Sequence, residues 1–416
     1  IEEELNDKTS LYKKMLKKLP YEKVKPFNDY MSSKKGKNVK GVWFEEEYQR
    51  YYPYGSLACH AIGFTVSGNV GQGGIEGYYS DELNGVNGRE YGYLTDDMSM
   101  ERTTKEPVNG YNVVSTIDAN AQTIVEDVIN GFMTETGARN VSCLVMDPNS
   151  GEILAMANSN SYDLNKPYED SVILDMFNEK NINYLLSDST IKAYFTAPEG
   201  ETLSEEKQSL KALLESPDIS AEDKLNSIPD DFRLLCLNRQ WRNFILSDGF
   251  EPGSTYKTFT ISGAVEESVL KGDETFYCEG VKQVEDYPIH CHNHQGHGTV
   301  TIEQALMQSC NVALMDIAEA EGRSVFSKYQ QTFGFGKKTG IDLSGEASGL
   351  VYEEDGLNPV ELATSSFGQG LTVTMIQNGA AFCSVINGGK YYEPHMVKQI
   401  VDENGGVIKN IEPVVL

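Results

Sequence analysis

A serine followed three positions later by a lysine, Ser254-Thr255-Tyr256-Lys257, stands at the start of an apolar run within Glu251-Pro252-Gly253-Ser254-Thr255-Tyr256-Lys257-Thr258-Phe259. On a helix, this spacing puts hydroxyl and amine on one face, one turn apart. A desolvated, neutral lysine can take the serine proton, giving a nucleophile that needs no histidine. Alone, the four residues also fit an ordinary exposed helix start. A second serine narrows the choice. Ser309-Cys310-Asn311 follows in another apolar, helix-like context, between Ala305-Leu306-Met307 and Val312-Ala313-Leu314-Met315. The pairing of these two motifs suits serine acyl transfer.

Between the motifs lies a second chemical cluster. The chain has six histidines, and His290, His292, His294 and His297 fall in one short stretch with Cys291 among them. Cys278 and Cys310 flank this stretch. Four thiolate and imidazole ligands suit a tetrahedral zinc ion. The simplest set is Cys278, Cys291, His297 and Cys310, with twelve, five and twelve residues between successive members. That spacing is looser than a zinc finger's, and His290, His292 and His294 are substitutes or bystanders. Surface histidines over buried thiols, or a Cys278–Cys291 disulfide in an oxidising compartment, are the alternatives. A fully protein-ligated ion would be structural, because no position stays open for water.

These clusters sit in a chain of 416 residues, long enough for two or three domains. A net charge of −27 argues against nucleic acid and anionic membrane surfaces as partners. No run of about twenty apolar residues appears, and the chain starts at Ile1 rather than Met. Both facts suit a piece cut from a longer, anchored protein. Seven cysteines is an odd number, so complete internal pairing is impossible. Cys59, Cys143, Cys236 and Cys383 are scattered and read as core thiols.

The elements that must position the motifs follow from texture. A helical pattern covers 11–16. From 41 to 110, aromatic and glycine-rich stretches suggest short strands and turns. Tyr51, Tyr52 and Tyr54 there are either aromatic core or a partner surface. A strand is expected at 111–118, a helix at 120–133, and strands at 141–147 and 152–157 around an Asp-Pro-Asn-Ser-Gly turn. This order implies an α+β domain with an antiparallel sheet. Residues 163–236 read as an acidic helical insertion without chemistry, either a solvated face or a partner dock. Helix is then expected from Ser254 to about Gly322, and again around 372–386.

With these motifs in order, the chain resembles the class B penicillin-binding proteins, the monofunctional peptidoglycan D,D-transpeptidases, in a zinc-binding variety. Arg50-Tyr51-Tyr52-Pro53-Tyr54-Gly55, Ile62-Gly63-Phe64 and Gly74-Ile75-Glu76 look like the family's pedestal. Glu251-Pro252-Gly253-Ser254, Gly334-Phe335-Gly336 through Asp342, and Phe367-Gly368-Gln369-Gly370 match later stretches in the same order. The resemblance implies an N-terminal β-rich pedestal over 1–110 and a transpeptidase domain over 111–416 with the insertion at 163–236. It implies that Ser254 attacks the D-Ala–D-Ala bond of a stem peptide and that Lys257 is the base. Ser309 and Asn311 would relay protons and hold the substrate amide, and the Ser254 N–H would be half of an oxyanion hole. β-Lactams would acylate the same serine.

Some elongation-type relatives bind zinc at matching places, with aspartates where two of these cysteines stand. A membrane glycan polymerase is the implied partner, and the outer face of the bacterial membrane the implied location. The family's third motif, Lys-Thr-Gly, closes the active site from a sheet strand. Lys338-Thr339-Gly340 falls in the wrong place for it, so the chain is expected to stop before that strand. A β-lactamase or β-lactam sensor shares Ser-x-x-Lys but lacks the pedestal; a non-catalytic scaffold for the polymerase is the third reading.

Overall fold

A computed structural model describes residues 15–16, 19–36, 40–44, 49–94 and 100–416. The helix expected at 11–16 lies almost wholly outside them. The chain forms two compact units, Ile1–Arg50 and Tyr51–Leu416. The first holds a helix at Tyr21–Ser32, with Phe27 set edge-on to Phe44 at 5.4 Å.

In the second unit, residues 51–110 form only short pieces. These are helices Cys59–Ile62, Gly74–Tyr78 and Ser80–Leu83, a two-residue strand pair, and a hairpin of Arg89–Leu94 with Met100–Lys105. Gly74-Ile75-Glu76, whose texture suggests a turn between strands, starts a helix instead. Pieces this small cannot enclose a core. Ala58, Ala61, Ile75 and Tyr79 therefore sink into one cluster with Ile153, Leu343, Met396 and Val397 from much later in the chain. Tyr79 Oη donates to Asp342 Oδ2 at 2.7 Å, and Asp342 also accepts the Met396 and Val397 N–H groups. Of the three tyrosines, Tyr52 is buried, whereas Tyr51 and Tyr54 are exposed.

The rest is α+β and antiparallel. Strand β1 (Asn112–Ser115) leads into α1 (Ala119–Thr136), then β2 (Ser142–Met146) and β3 (Ile153–Asn158) form a hairpin. Asp118 caps α1 by accepting the Asn120 and Ala121 N–H groups, and Gly137 ends it in the left-handed conformation. The Gln122 side chain bonds both N–H and C=O of Met156, fixing α1 on β3. The insertion is helical, from Ser171–Leu174 to Asp230–Trp241, with a core of its own around Phe177, Leu185, Leu214 and Phe232. Asp188, in its middle, is tied to its end through ion pairs to Arg239 and Arg242.

The mostly helical pattern expected after Ser254 is interrupted by strands. Helix α2 (Lys257–Glu266) is followed by four short strands: β4 (Thr275–Cys278), β5 (Val281–Val284), β6 (Tyr287–His290) and β7 (Gly298–Thr301). β4 pairs with β7 and β5 with β6, both antiparallel. Phe276 faces Val300 across the first pair. Four-residue strands carry too few positions for an alternating pattern to show. Then come α3 (Ile302–Met307), α4 (Asn311–Thr332), α5 (Pro359–Ser365), α6 (Met375–Ile386), β8 (Val397–Val401) and β9 (Val407–Asn410). β8 lies between β1 and β9. Among the described residues, no helix is long and apolar enough to cross a membrane.

Candidate active site and thiol-imidazole cluster

Ser254 sits in a single 3-10 turn, Gly253–Tyr256, and Lys257 is the first residue of α2. In a 3-10 turn, side chains three apart eclipse. The turn is held from both sides. Tyr256 is buried in an aromatic cluster with Phe259, Phe326 and Phe335. Gly253 N–H donates to the Gly368 carbonyl at 2.9 Å. Gly368 has φ +80°, and a Cβ there would come within 2.2 Å of the Gly253 oxygen. Both its conformation and this close approach require glycine.

Ser309 occupies an unusual backbone position. It has φ +53°, the left-handed region, where glycine is usual. The cause is local. Helix α3 ends in a Schellman motif, with Ser309 N–H on the Leu306 carbonyl (3.0 Å) and Cys310 N–H on that of Ala305 (2.8 Å). Ser309 is the left-handed residue of that motif. The next helix begins at once: Cys310 Sγ accepts the Ala313 N–H as the cap of α4, and Asn311 is its first residue. A reversal between two helices thus sets Ser309 and Asn311 against α2.

The four residues meet. Ser254 Oγ is 2.6 Å from Ser309 Oγ. Lys257 Nζ lies 2.8 Å from Ser309 Oγ, 2.7 Å from the Ser309 carbonyl and 2.7 Å from Asn311 Oδ1. The amine therefore reaches Ser254 through Ser309. Lys257 is 1 % exposed. Burial lowers its pKa to about 8, against the opposing influence of Cys291 and Cys310. Deprotonated lysine is thus accessible near neutral pH.

The cleft above Ser254 encloses about 240 Å³, lined by Gly253, Ser254, His292, Ser309, Asn311, Phe367 and Gln369. His292, Phe367 and Gln369 were not legible as cleft walls. Phe367 and Gln369 come from the turn that carries Gly368, and only the glycines flanking Gln369 hint at a special backbone. Lys338-Thr339-Gly340 lies elsewhere. Thr339 is buried, with its N–H and Oγ1 both donating to Glu346 Oε1 at 2.7 Å, and Lys337 and Lys338 are exposed.

Behind Lys257, the ligand atoms of Cys278, Cys291, His297 and Cys310 all lie within 4.8 Å of one another. Cys278 ends β4, Cys291 follows β6, and His297 precedes β7, so the two strand pairs converge on Cys310. All seven cysteines are free thiols. Burial raises the Cys291 thiol, but N–H groups of Asn293, Asn311 and Val312 and the Cys278 thiol outweigh it and hold the pKa below the ordinary value. Burial, then His292 and Lys257, keep His297 below the usual histidine range, in the neutral form that ligates metals. Buried Cys310 is pushed up to about 12. This donor set suits a tetrahedral, thiophilic divalent ion. His290 and His294 pair with each other instead, ring to ring at 5.4 Å.

Comparison with known proteins agrees with this geometry. The penicillin binding protein transpeptidase domain matches residues 141–415, and the penicillin-binding protein dimerisation domain matches residues 1–115. The chain is 30 % identical to stage V sporulation protein D of Bacillus subtilis over 404 residues, covering 94 % of this chain and 52 % of that protein. It is 26 % identical to the peptidoglycan D,D-transpeptidase FtsI of Escherichia coli over 372 residues, covering 87 % of this chain and 50 % of the relative. The chain thus spans about half the length of these relatives. Among solved structures, penicillin-binding protein 2X of Streptococcus thermophilus shares the fold, with a TM-score of 0.66 at 24 % identity, over 96 % of this chain and 50 % of that one. So does penicillin-binding protein 3 of Mycobacterium tuberculosis, solved with aztreonam, with a TM-score of 0.61 at 24 % identity, over 88 % and 64 % of the two chains. The two matched domains, in this order and over nearly the whole chain, place it in the class B penicillin-binding protein family.

Proposed function

We propose that this chain carries the acyl-transfer centre of a peptidoglycan D,D-transpeptidase. The hydrogen-bonded path from Ser254 Oγ through Ser309 Oγ to Lys257 Nζ supports this reading most directly. Ser254 Oγ attacks the carbonyl of the penultimate D-Ala of a stem peptide, and its proton passes through Ser309 to the lysine amine. The C–N bond breaks, and the leaving D-Ala amine takes that proton. The Ser254 N–H supports the developing oxyanion. An amine of a second stem peptide then attacks the ester, forms the cross-link and frees Ser254. A β-lactam ring amide acylates the same oxygen and leaves an ester that turns over slowly.

In the same proposal, Cys278, Cys291, His297 and Cys310 hold a structural zinc ion. When bound, the ion supplies a cross-link between the strand pairs and the Ser309-Cys310-Asn311 motif. The substrate places the protein on the outer face of the bacterial membrane. Exposed Tyr51 and Tyr54 and the helical insertion are the surfaces offered to a glycan polymerase.

The test is an acyl-D-Ala-D-Ala peptide with an amine acceptor. Free D-Ala and an aminolysed product are expected from the wild type and not from Ser254→Ala. Rapid hydrolysis of a penicillin instead, with no aminolysis, would mark a β-lactamase.

A further inference from the structure

The two helices that bring the motifs together, α2 and α4, pack along each other, and a carboxyl group is trapped between them. Glu321 of α4 is only 6 % exposed. Among the described residues, neither of its carboxyl oxygens has a hydrogen-bond partner. Its position is tight: a Cβ on Gly263 of α2 would lie 2.7 Å from Glu321 Oε1 and 2.9 Å from Tyr329 Cγ. The next residue, Gly322, has φ +79° and ψ 157° and breaks α4. Glu321 therefore ends the first stretch of that helix, at the negative end of its dipole. Lys257 begins α2 and Asn311 begins α4, about 15 Å from Glu321 along the axis at 1.5 Å per residue.

The surrounding charges do not compensate a carboxylate. On α2's side stands Glu267, itself bonded by Lys328 and Tyr329 of α4. Glu266 of α2 acts on Tyr329 as a further negative charge. Tyr256, on the turn before α2, uses its hydroxyl on Gln330. Arg323, two residues along α4, is exposed. An isolated buried carboxylate is strongly disfavoured, whereas a neutral acid is tolerated.

We propose that Glu321 is a positioning residue that must carry its proton for α2 and α4 to close, and that its ionisation slackens the contacts among Ser254, Ser309 and Lys257. Burial, and then Glu267, raise its pKa from 4.5 to about 8, consistent with a protonated group at neutral pH. The sign follows from linkage. Between those values the folded chain holds a proton that the unfolded chain has released. Stability therefore falls as pH rises through this window, and the loss is complete above about 8.

The test compares the wild type with Glu321→Gln, a neutral side chain of the same shape, and with Glu321→Met as a second neutral variant. Melting temperatures are measured from pH 5 to 9.5. The variant-minus-wild-type difference should open with rising pH and level off above about 8. The ratio of penicillin acylation rates, variant over wild type, should climb about tenfold between pH 7 and 9, as one titration at this pKa requires. A constant offset or coincident curves in whichever variant folds would overturn the proposal. The kinetic arm rests on the transpeptidase reading. If the wild type takes no penicillin at any pH, that reading fails, and the melting curves still decide the role of Glu321.

Discussion

Chelating the zinc ion proposed for the Cys278–Cys291–His297–Cys310 cluster is expected to lower the melting temperature by roughly 5–10 °C and to slow penicillin acylation together with it. Cys278→Ser should do the same. Cys310 is both a member of the cluster and the cap of α4, and it lies between Ser309 and Asn311 in sequence. The backbone at Ser309 is held left-handed by the end of α3, a conformation that costs about 1–3 kcal/mol and persists only when its surroundings over-determine it. Loss of the cross-link removes one of those constraints and lets Ser309 relax away from Lys257. Chelation followed by metal analysis, melting and acylation kinetics would check this. An unchanged melting curve after complete metal removal would sink it.

Replacing Lys257 by alanine should cost about 10²–10⁴-fold in acylation rate, the range for loss of a positioned base. In Glu321→Gln, which lacks the opposing titration, the rate should rise with pH through a midpoint near 8 rather than near the ordinary lysine value of 10.5, and the wild type should follow the same limb below pH 7. Burial disfavours the ammonium, so the neutral amine appears earlier as pH rises, and only that form accepts the serine proton. Below the midpoint, each unit of pH should cost about tenfold. Rates from stopped-flow mixing with a chromogenic β-lactam, over pH 5.5 to 7, give the wild-type limb before Glu321 ionises. A pH-independent rate over that range would show that Lys257 is not the base.

Much of this site was legible because its chemistry restricts residue types. A serine and a lysine at i and i+3 can meet with few alternatives, and three cysteines beside a histidine-rich stretch attract attention by composition alone. The hairpin of β2 and β3 and the helix α1 were legible from a turn sequence and a clear period. The hidden features depend on distant partners. The left-handed Ser309 follows from a Schellman motif whose residues look like any helix end. His292 reads as one histidine among four until β6 and β7 place it on the cleft wall. The strands β4 to β7 are too short to show a period, so the stretch reads as helix. Glu321 looks like a surface residue of a helix, and its burial beside Gly263 shows only once α2 and α4 are packed together.

The central claim is that Ser254 is an acylable nucleophile served by Ser309 and Lys257. The intact mass of the chain after incubation with a penicillin, beside that of Ser254→Ala, tests it most directly. One stable adduct with the mass of the penicillin, present in the wild type and absent in the variant, is the predicted result. An adduct of equal yield in Ser254→Ala would contradict the claim outright.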